Sequence, residues 1–462
     1  MARKVVVIGA GPGGYVAAIR SAQLGAEVTC VENRYLGGCC LNVGCIPTKA
    51  MLACTETLLA CRGAADYGVK LSGKVEPMLP AMKKRKDKVV RTLTGGVGQL
   101  FKANGIKHVE GTARLAARNK VSVETPKGTT ELPADAVIVA TGSEPARPSF
   151  LPWDSGVVLD STAMLQLTEI PKRLLVIGGG YIGCEFACIY AELGAEVTVV
   201  EMLPHLLPME DEEISALLER EFKKKGVKII TGRKIDKVEA KGKAATVSIQ
   251  GGEKIEADAV LAAMGRSLNS RNLGLAEIGV KIDNGAVVTN DRMETSAPGV
   301  FAVGDVTGGA LLAHKASAEG LTAAANACGR NARMDYKVVP SAVYTHPEVA
   351  RVGLTEADAR KTVKEVKVGR FQYRASGKAL AVGHTEGIVK AVADAHTHEI
   401  LGVSIVGSHA ADIIAEAGVA MNLEALAEDI AHTQHPHPSL SEAVMEACED
   451  LLGHAIHVPP GK

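Results

Sequence analysis

Aromatic residues are scarce in this chain. Phe, Trp and Tyr together make up 3% of 462 residues, with a single Trp. Recognition of single-stranded nucleic acid leans on such rings as stacking platforms, so that class of partner is a poor fit. An excess of charge is also missing, since 52 Lys and Arg balance 52 Asp and Glu. A balanced surface gives no electrostatic reason to bind nucleic acid or anionic lipid. No apolar run reaches the ~18 residues of a membrane span. Only Met1 to Lys4 precede the apolar run Val5 to Ile8, too few residues for a signal or transit peptide. The expectation is a soluble, unsecreted protein of the cytoplasm, or of the mitochondrial matrix in a form whose presequence has been removed. The length suggests roughly three domains.

Cysteine is present in moderate number, ten in all. Cys54, Cys61, Cys184, Cys188, Cys328 and Cys448 stand alone in apolar, helix-like settings and read as small buried thiols of a reducing compartment. Cys39, Cys40 and Cys45 differ, because they cluster beside glycines.

The organising feature is an internal repeat. Val5 to Glu32 reads VVVIGAGPGGYVAAIRSAQLGAEVTCVE, and Leu174 to Glu201 reads LLVIGGGYIGCEFACIYAELGAEVTVVE. At an offset of 169 residues, 15 of the 28 positions are identical. Each copy predicts strand, Gly-rich turn, helix and second strand, which is a βαβ unit written twice. The turns carry G-x-G-x-x-G, as Gly9, Gly11 and Gly14 and then Gly178, Gly180 and Gly183. The first Gly makes the tight turn, the second admits a pyrophosphate, and the third lets helix and strand pack closely at a helix N-terminus that suits phosphate charge. Glu32 and Glu201 each follow the last Gly by 18 residues, where a carboxylate can bind an adenosine ribose. Two such units predict two dinucleotides, FAD and NAD(P). Glu201 precedes Met202 and Leu203 with no Arg to pair a 2′-phosphate, which favours NAD over NADP.

Val137 to Ser143 reads as a buried strand ending in a small-residue turn, and VFAVGD, Val300 to Asp305, as another ending in Gly-Asp. Beyond Pro340 the pattern changes. GIVKAVADA and ILGVSIVG predict strands; ADIIAEAGVAM and NLEALAEDI predict helices.

The segment Gly37 to Lys49, GGCCLNVGCIPTK, holds Cys40 and Cys45 in C-x4-C spacing. That is unlike the C-x2-C knuckle of structural zinc, and no second pair follows it. Residues five apart on a regular helix are separated by about 7.5 Å along its axis, beyond the roughly 4.4–6.8 Å between the Cα atoms of a disulfide. The pair can close only where the backbone is irregular, a tolerance that Asn42 and Gly44 supply. Pro47 suits the first turn of a new helix, with Lys49 one turn beyond Cys45. A thiolate near a flavin can exchange electrons with it, and the Lys49 ammonium would favour the charged sulfur. Spacing alone leaves a redox disulfide, inert thiols and metal-binding thiols all open.

GGCCLNVGCIPTK closely resembles the active-site segment of the pyridine nucleotide–disulfide oxidoreductases. The likeness runs the whole chain, through GGGYIGCEFA, AMGRSLN, VFAVGDV, AHKA, YTHPEVARVGLTE and HPHPSLSE. It implies an α/β fold of two Rossmann-like dinucleotide-binding domains and a C-terminal α+β dimerisation domain. FAD would occupy a discontinuous domain of residues 1–145 and 271–340, NAD would occupy 146–270, and 341–462 would form the interface of a homodimer. The resemblance implies that Gly9, Gly11, Pro12, Gly13, Gly14, Glu32 and Asn33 hold the ADP half of FAD, with Asp305 on its ribityl region. Gly38, Cys39, Lys49, Ala113, Thr141, Gly142, Ser143, Leu312, Ala313 and His314 would complete that site. Gly178, Gly180, Tyr181, Ile182, Gly183 and Glu201 would bind NAD, with Gly265 and Arg266 alongside. Cys45 would be the thiol that faces flavin, Cys40 the thiol that meets substrate, and Lys49 would pair with Glu185 near the flavin.

His437 would be the general base, oriented by Glu442 and contributed by the other subunit. An imidazole suits a thiol whose ordinary pKa is near 8.5. Ser439-x-x-Glu442 is also a capping box, with Pro438 at a helix start, and one carboxylate can serve both ends. His432 and His435 read as local hydrogen-bonding residues, His346 and His409 as structural. HPHPSLSE, YTHPEVARVGLTE and Ala393 to Gly407 resemble the branch of the family that oxidises dihydrolipoyl groups with NAD+ more than the branch that reduces glutathione. Lipoyl domains of 2-oxo-acid dehydrogenase or glycine cleavage complexes would then be the partners, with no nucleic acid, metal or membrane span involved. A glutathione-type reductase and a redox-sensing flavoprotein subunit are the alternatives. Cys39 departs from the Thr usual in the family, Thr48 from Ser, and Ala310-Leu311 from Pro-Met. The first leaves open a competing Cys39–Cys45 bridge.

Overall fold

Two compact units make up the computed structural model, which describes residues 2–459. The first comprises Met1–Met51, Pro80–Ala146 and Met264–Asp335. Its centre is a five-stranded parallel sheet in the order Val300–Ala302, Ala136–Val139, Lys4–Ile8, Glu27–Glu32, Lys107–Glu110. The strands are near-continuous β-branched and apolar runs because both faces are covered, as parallel sheets require. The helices Pro12–Gln23 and Ala313–Ala327 lie against each other through small residues. A Cβ on Gly320 would sit 2.4 Å from the Gly13 carbonyl oxygen, so only glycine permits this approach. A three-stranded antiparallel sheet, Thr112–Ala117, Lys120–Thr125 and Gly128–Pro133, completes the unit.

The second unit comprises Leu52–Leu79, Arg147–Ala263 and Tyr336–Lys462. The sequence repeat is a structural repeat. Lys228–Ile230, Glu196–Val200, Arg173–Ile177, Ala259–Ala262 and Val158–Leu159 form a second parallel sheet, again with a three-stranded antiparallel sheet, Ile235–Lys241, Ala244–Ile249 and Lys254–Ala257. Its C-terminal part is a five-stranded antiparallel sheet in the order Ser341–Val343, Glu348–Gly353, Ile400–Gly407, Ile388–Asp394, Val366–Gln372. The helices Ala410–Asn422 and Glu442–Leu452 share a core with it. Gly369 lets the last helix touch the edge strand, since a Cβ there would meet the Ala447 carbonyl oxygen at 1.9 Å.

The strands expected in GIVKAVADA and ILGVSIVG and the helix in ADIIAEAGVAM are present. The helix expected over NLEALAEDI is not continuous. It stops at Asn422, Glu424 takes a left-handed φ of 57°, and a new helix starts only at Ala427. The Asp429 carboxylate caps that start by accepting the Leu426 N–H at 2.8 Å, a local bond that competes with helix continuation.

Candidate functional site

Strand Lys4–Ile8 delivers the chain to Gly9, whose φ of +101° is unfavourable for residues with a Cβ. A Cβ on Gly14 would lie 1.9 Å from the Gly9 carbonyl oxygen, which is why helix Pro12–Gln23 can pack so tightly on its strand. Gly11 faces open space, where its Cβ would have only the Gly38 Cα within 4 Å, at 3.9 Å. The helix has no side-chain cap at Gly11, so its first N–H groups and dipole are available to an anion. The Glu32 carboxylate is fixed beside this turn, accepting the Ala10 N–H at 2.7 Å and the Arg34 N–H at 2.8 Å. Each carboxylate oxygen keeps a lone pair for a ribose hydroxyl.

The second turn repeats the design. A Cβ on Gly183 would lie 1.9 Å from the Gly178 carbonyl oxygen, and Gly180 faces open space. The helix Tyr181–Leu193 has no side-chain cap, and the Glu201 carboxylate accepts Gly179 N–H at 2.6 Å and Leu203 N–H at 2.8 Å. Both cradles have the shape and donor set for a dinucleotide. Tyr181, expected at the second, is tied through its hydroxyl to Glu210, which also accepts from Ser341 at 2.9 Å and Arg351 at 2.9 Å.

Cys39 and Cys40 lie on the short helix Gly38–Asn42, and Cys45 opens the helix Cys45–Arg62. Val43 and Gly44 break the two helices apart, and Asn42 pins the break by donating to the Leu36 and Gly38 carbonyls, both at 2.9 Å. A Cβ on Gly38 would be 2.5 Å from the Gly11 Cα. The cysteine segment is therefore docked against the first phosphate turn. The thiols of Cys40 and Cys45 are hydrogen-bonded to each other. That contact, followed by burial, pushes the Cys40 thiol far up, while Lys49 on the next turn pulls the other way.

Cys39 is held differently. Arg266 Nη2 is 3.5 Å from its Sγ, and the same guanidinium donates to Ser143 Oγ at 2.6 Å and Ser143 O at 2.8 Å. Burial raises the Cys39 thiol and the Arg266 charge only partly offsets this. Ser143 Oγ donates to Asp305 Oδ2 at 2.5 Å. Gly265 and Arg266, expected beside the second nucleotide motif, thus belong to the first unit together with Ser143 and Asp305. Thr141 and Gly142 exchange hydrogen bonds with Asn269, and Ala113 is buried in strand Thr112–Ala117.

Asp305 rides on a single turn, Gly304–Thr307. A buried pair that sequence reasoning missed clasps it. Glu319 accepts the Gly304 N–H at 2.7 Å and meets Lys315 Nζ at 3.0 Å, while Lys315 donates to the Gly308 carbonyl at 3.0 Å. The i,i+4 spacing of Lys315 and Glu319 was the available signal. Leu312, Ala313 and His314 form the uncapped start of this helix.

In the second unit, His437 Nδ1 lies 2.8 Å from Glu442 Oε1, while Glu442 Oε2 accepts the Ser439 N–H at 2.7 Å. The carboxylate serves both ends, although the helix starts at Glu442 and not near Pro438. Burial opposes its charge, but the Ser439 N–H and the imidazole together hold its pKa below the usual range. The His437 ring is 80% exposed. His435 is occupied by Glu416 at 2.5 Å. Glu185 accepts the Tyr344 N–H at 3.0 Å.

Residues 3–320 match the family described as pyridine nucleotide-disulphide oxidoreductase, and residues 339–448 match its dimerisation domain. A dihydrolipoyl dehydrogenase of Thermus scotoductus is 49% identical, with 98% of each chain covered. A mitochondrial dihydrolipoyl dehydrogenase of Arabidopsis thaliana is 42% identical, over 98% of this chain and 91% of that one. Among solved structures, LpdA of Mycobacterium tuberculosis superposes with a TM-score of 0.91 at 28% identity, over 97% of this chain and 99% of that one. No described helix is long and apolar enough to cross a membrane.

Proposed function

Because this chain belongs to the pyridine nucleotide-disulphide oxidoreductases, we propose that it oxidises dihydrolipoyl groups to lipoyl groups and reduces NAD+ to NADH. Its cofactors are FAD and NAD(H), the first unit holding FAD and the Gly178 turn holding NAD. Bound FAD supplies the two-electron relay between thiol and nicotinamide. The observation that carries the reading is the contact between the Cys40 and Cys45 thiols on a segment docked against the first phosphate turn.

The rest follows from this chain's side chains. His437, with Nδ1 on Glu442, takes a proton from one substrate thiol through Nε2, and Glu442 steadies the cation that forms. The substrate sulfur attacks the Cys40 side of a Cys40–Cys45 disulfide, and Cys45 leaves as a thiolate, favoured by the Lys49 ammonium. The second substrate thiol displaces Cys40, which closes the lipoyl ring and leaves both enzyme thiols reduced. The exposed imidazole works on the other subunit of a homodimer, for which the dimerisation domain is the support. The physiological substrates are lipoyl domains of 2-oxo-acid dehydrogenase or glycine cleavage complexes, in the cytoplasm or the mitochondrial matrix.

A steady-state assay of free dihydrolipoamide with NAD+ tests substrate, nicotinamide and direction together. Robust turnover is expected, with little when NADPH and oxidised glutathione are supplied instead. The opposite preference would overturn the reading.

A further inference from the structure

Helix Tyr181–Leu193 buries a second thiol chemistry that electron transfer does not use. Cys188 and Glu192 stand one turn apart on it, and His346 is brought to them by the segment leading into strand Glu348–Gly353. Cys188 Sγ is 3.2 Å from Glu192 Oε1 and 4.0 Å from His346 Nδ1. The same ring nitrogen is 3.0 and 3.1 Å from the two Glu192 oxygens. The three donor atoms all lie within 4.8 Å of one another. The His346 N–H, donating to Cys188 Sγ at 3.3 Å, locks the loop onto the helix. Cys188 is fully buried and the Glu192 carboxylate nearly so, while the His346 ring keeps one side toward water.

A thiolate, an imidazole and a carboxylate are the ligand types of zinc. Bond lengths of about 2.3 Å to sulfur, 2.0–2.1 Å to nitrogen and 2.0–2.2 Å to oxygen, at tetrahedral angles, space the donors about 3.6 Å (S to N), 3.6 Å (S to O) and 3.4 Å (N to O). The observed separations are 4.0, 3.2 and 3.0 Å. Each edge needs to change by only about 0.4 Å, within side-chain adjustment. We propose that Cys188, Glu192 and His346 form a Zn²⁺ site with three protein ligands and a fourth position open to water on the His346 side.

The charges close. A thiolate and a carboxylate together neutralise the dication, and the Cys188 proton is released on binding. Without metal, Lys225 holds the carboxylate, with Nζ 2.7 Å from Glu192 Oε1 and 2.5 Å from the His346 carbonyl. The Lys225 side chain is 28% exposed, so its ammonium can turn to solvent when the ion enters. Lys225 and zinc therefore compete for one carboxylate. Two further charged groups bear on the site: Arg62, which donates to the Glu192 carbonyl at 2.7 Å, and Glu348, which interacts electrostatically with His346.

The test uses the full chain as a C39S/C40S/C45S variant, which removes the three clustered thiols as rival ligands. The chelator-stripped protein is titrated with Zn²⁺, and with Co²⁺ to reveal thiolate-to-metal charge-transfer absorbance. One equivalent should bind with release of a proton. Adding C188S or C188A should abolish the charge-transfer band and weaken binding by at least about tenfold. Adding K225Q, which keeps every ligand, should tighten binding several-fold. Absence of stoichiometric uptake would overturn the site, as would a band that survives loss of Cys188. Weaker binding in K225Q would also count against it, since a merely structural ion pair predicts no gain.

Discussion

The Arg266 guanidinium reaches Cys39 Sγ at 3.5 Å while gripping Ser143 through both its hydroxyl and its carbonyl. One side chain thus ties the extra thiol of the cysteine cluster to the Ser143–Asp305 pair expected along the cofactor. Burial outweighs that nearby charge, so Cys39 stays a thiol at neutral pH.

Cys39 should consequently be a spectator. C39S is expected to keep turnover of dihydrolipoamide and to lose one titratable thiol in the unfolded protein. A fall in turnover of more than about tenfold, which is 1.4 kcal/mol of barrier, would mean that Cys39 takes part in the exchange.

Cys40 and Cys45 should behave otherwise. C45S and C40S are each expected to bind FAD and stay yellow with almost no lipoamide turnover. Normal turnover in either variant would remove the proposed chemistry.

The glycines of the first turn should separate folding from binding. G14A drives a methyl into the Gly9 carbonyl at 1.9 Å and should cost soluble, FAD-loaded protein. G11A meets open space and should fold normally. Its Cβ occupies the phosphate approach, so FAD retention during gel filtration should fall.

His437 and Glu442 should be linked through pH. H437Q is expected to lower kcat by about 10²–10⁴, the usual worth of a general base, and E442Q by less. The folded Glu442 has a depressed pKa, so its contribution is complete above the unfolded value near 4.3. It is lost as pH falls through the folded value. The parent should therefore melt above E442Q at neutral pH, and its acid limb should fall to meet that of E442Q as pH drops through the folded value, when the two are compared by melting curves. Coincident melting at every pH would deny the shift.

Local pattern made the repeat legible. Identical spacing of Gly9, Gly11, Gly14 and Glu32 with Gly178, Gly180, Gly183 and Glu201 dictates the same turn twice, because sterics at the third glycine leave one solution. The helix break at Glu424 was not legible, since Leu, Glu and Ala are good helix formers and helix propensity does not rank the local Asp429 bond to the Leu426 N–H against continuing the helix. Arg266 and Ser143 are 123 residues apart, and Cys188 and His346 are 158 apart. Their partnerships arise from chain crossing, which no window of sequence displays. The family resemblance supplied the His437–Glu442 pairing that spacing alone could also assign to capping.

Gly38 comes so near Gly11 that a hydrogen is all the space on the Gly38 side admits, since a Cβ there would lie 2.5 Å from the Gly11 Cα. The reactive segment therefore has no address of its own. A displacement of the phosphate turn is handed directly to Cys39 and Cys40, with no side chain between them to absorb it. Loss of the dinucleotide would then be felt as thiol misalignment before it is felt as unfolding, which makes the alkylation pattern of the cysteines an early gauge of an empty cradle.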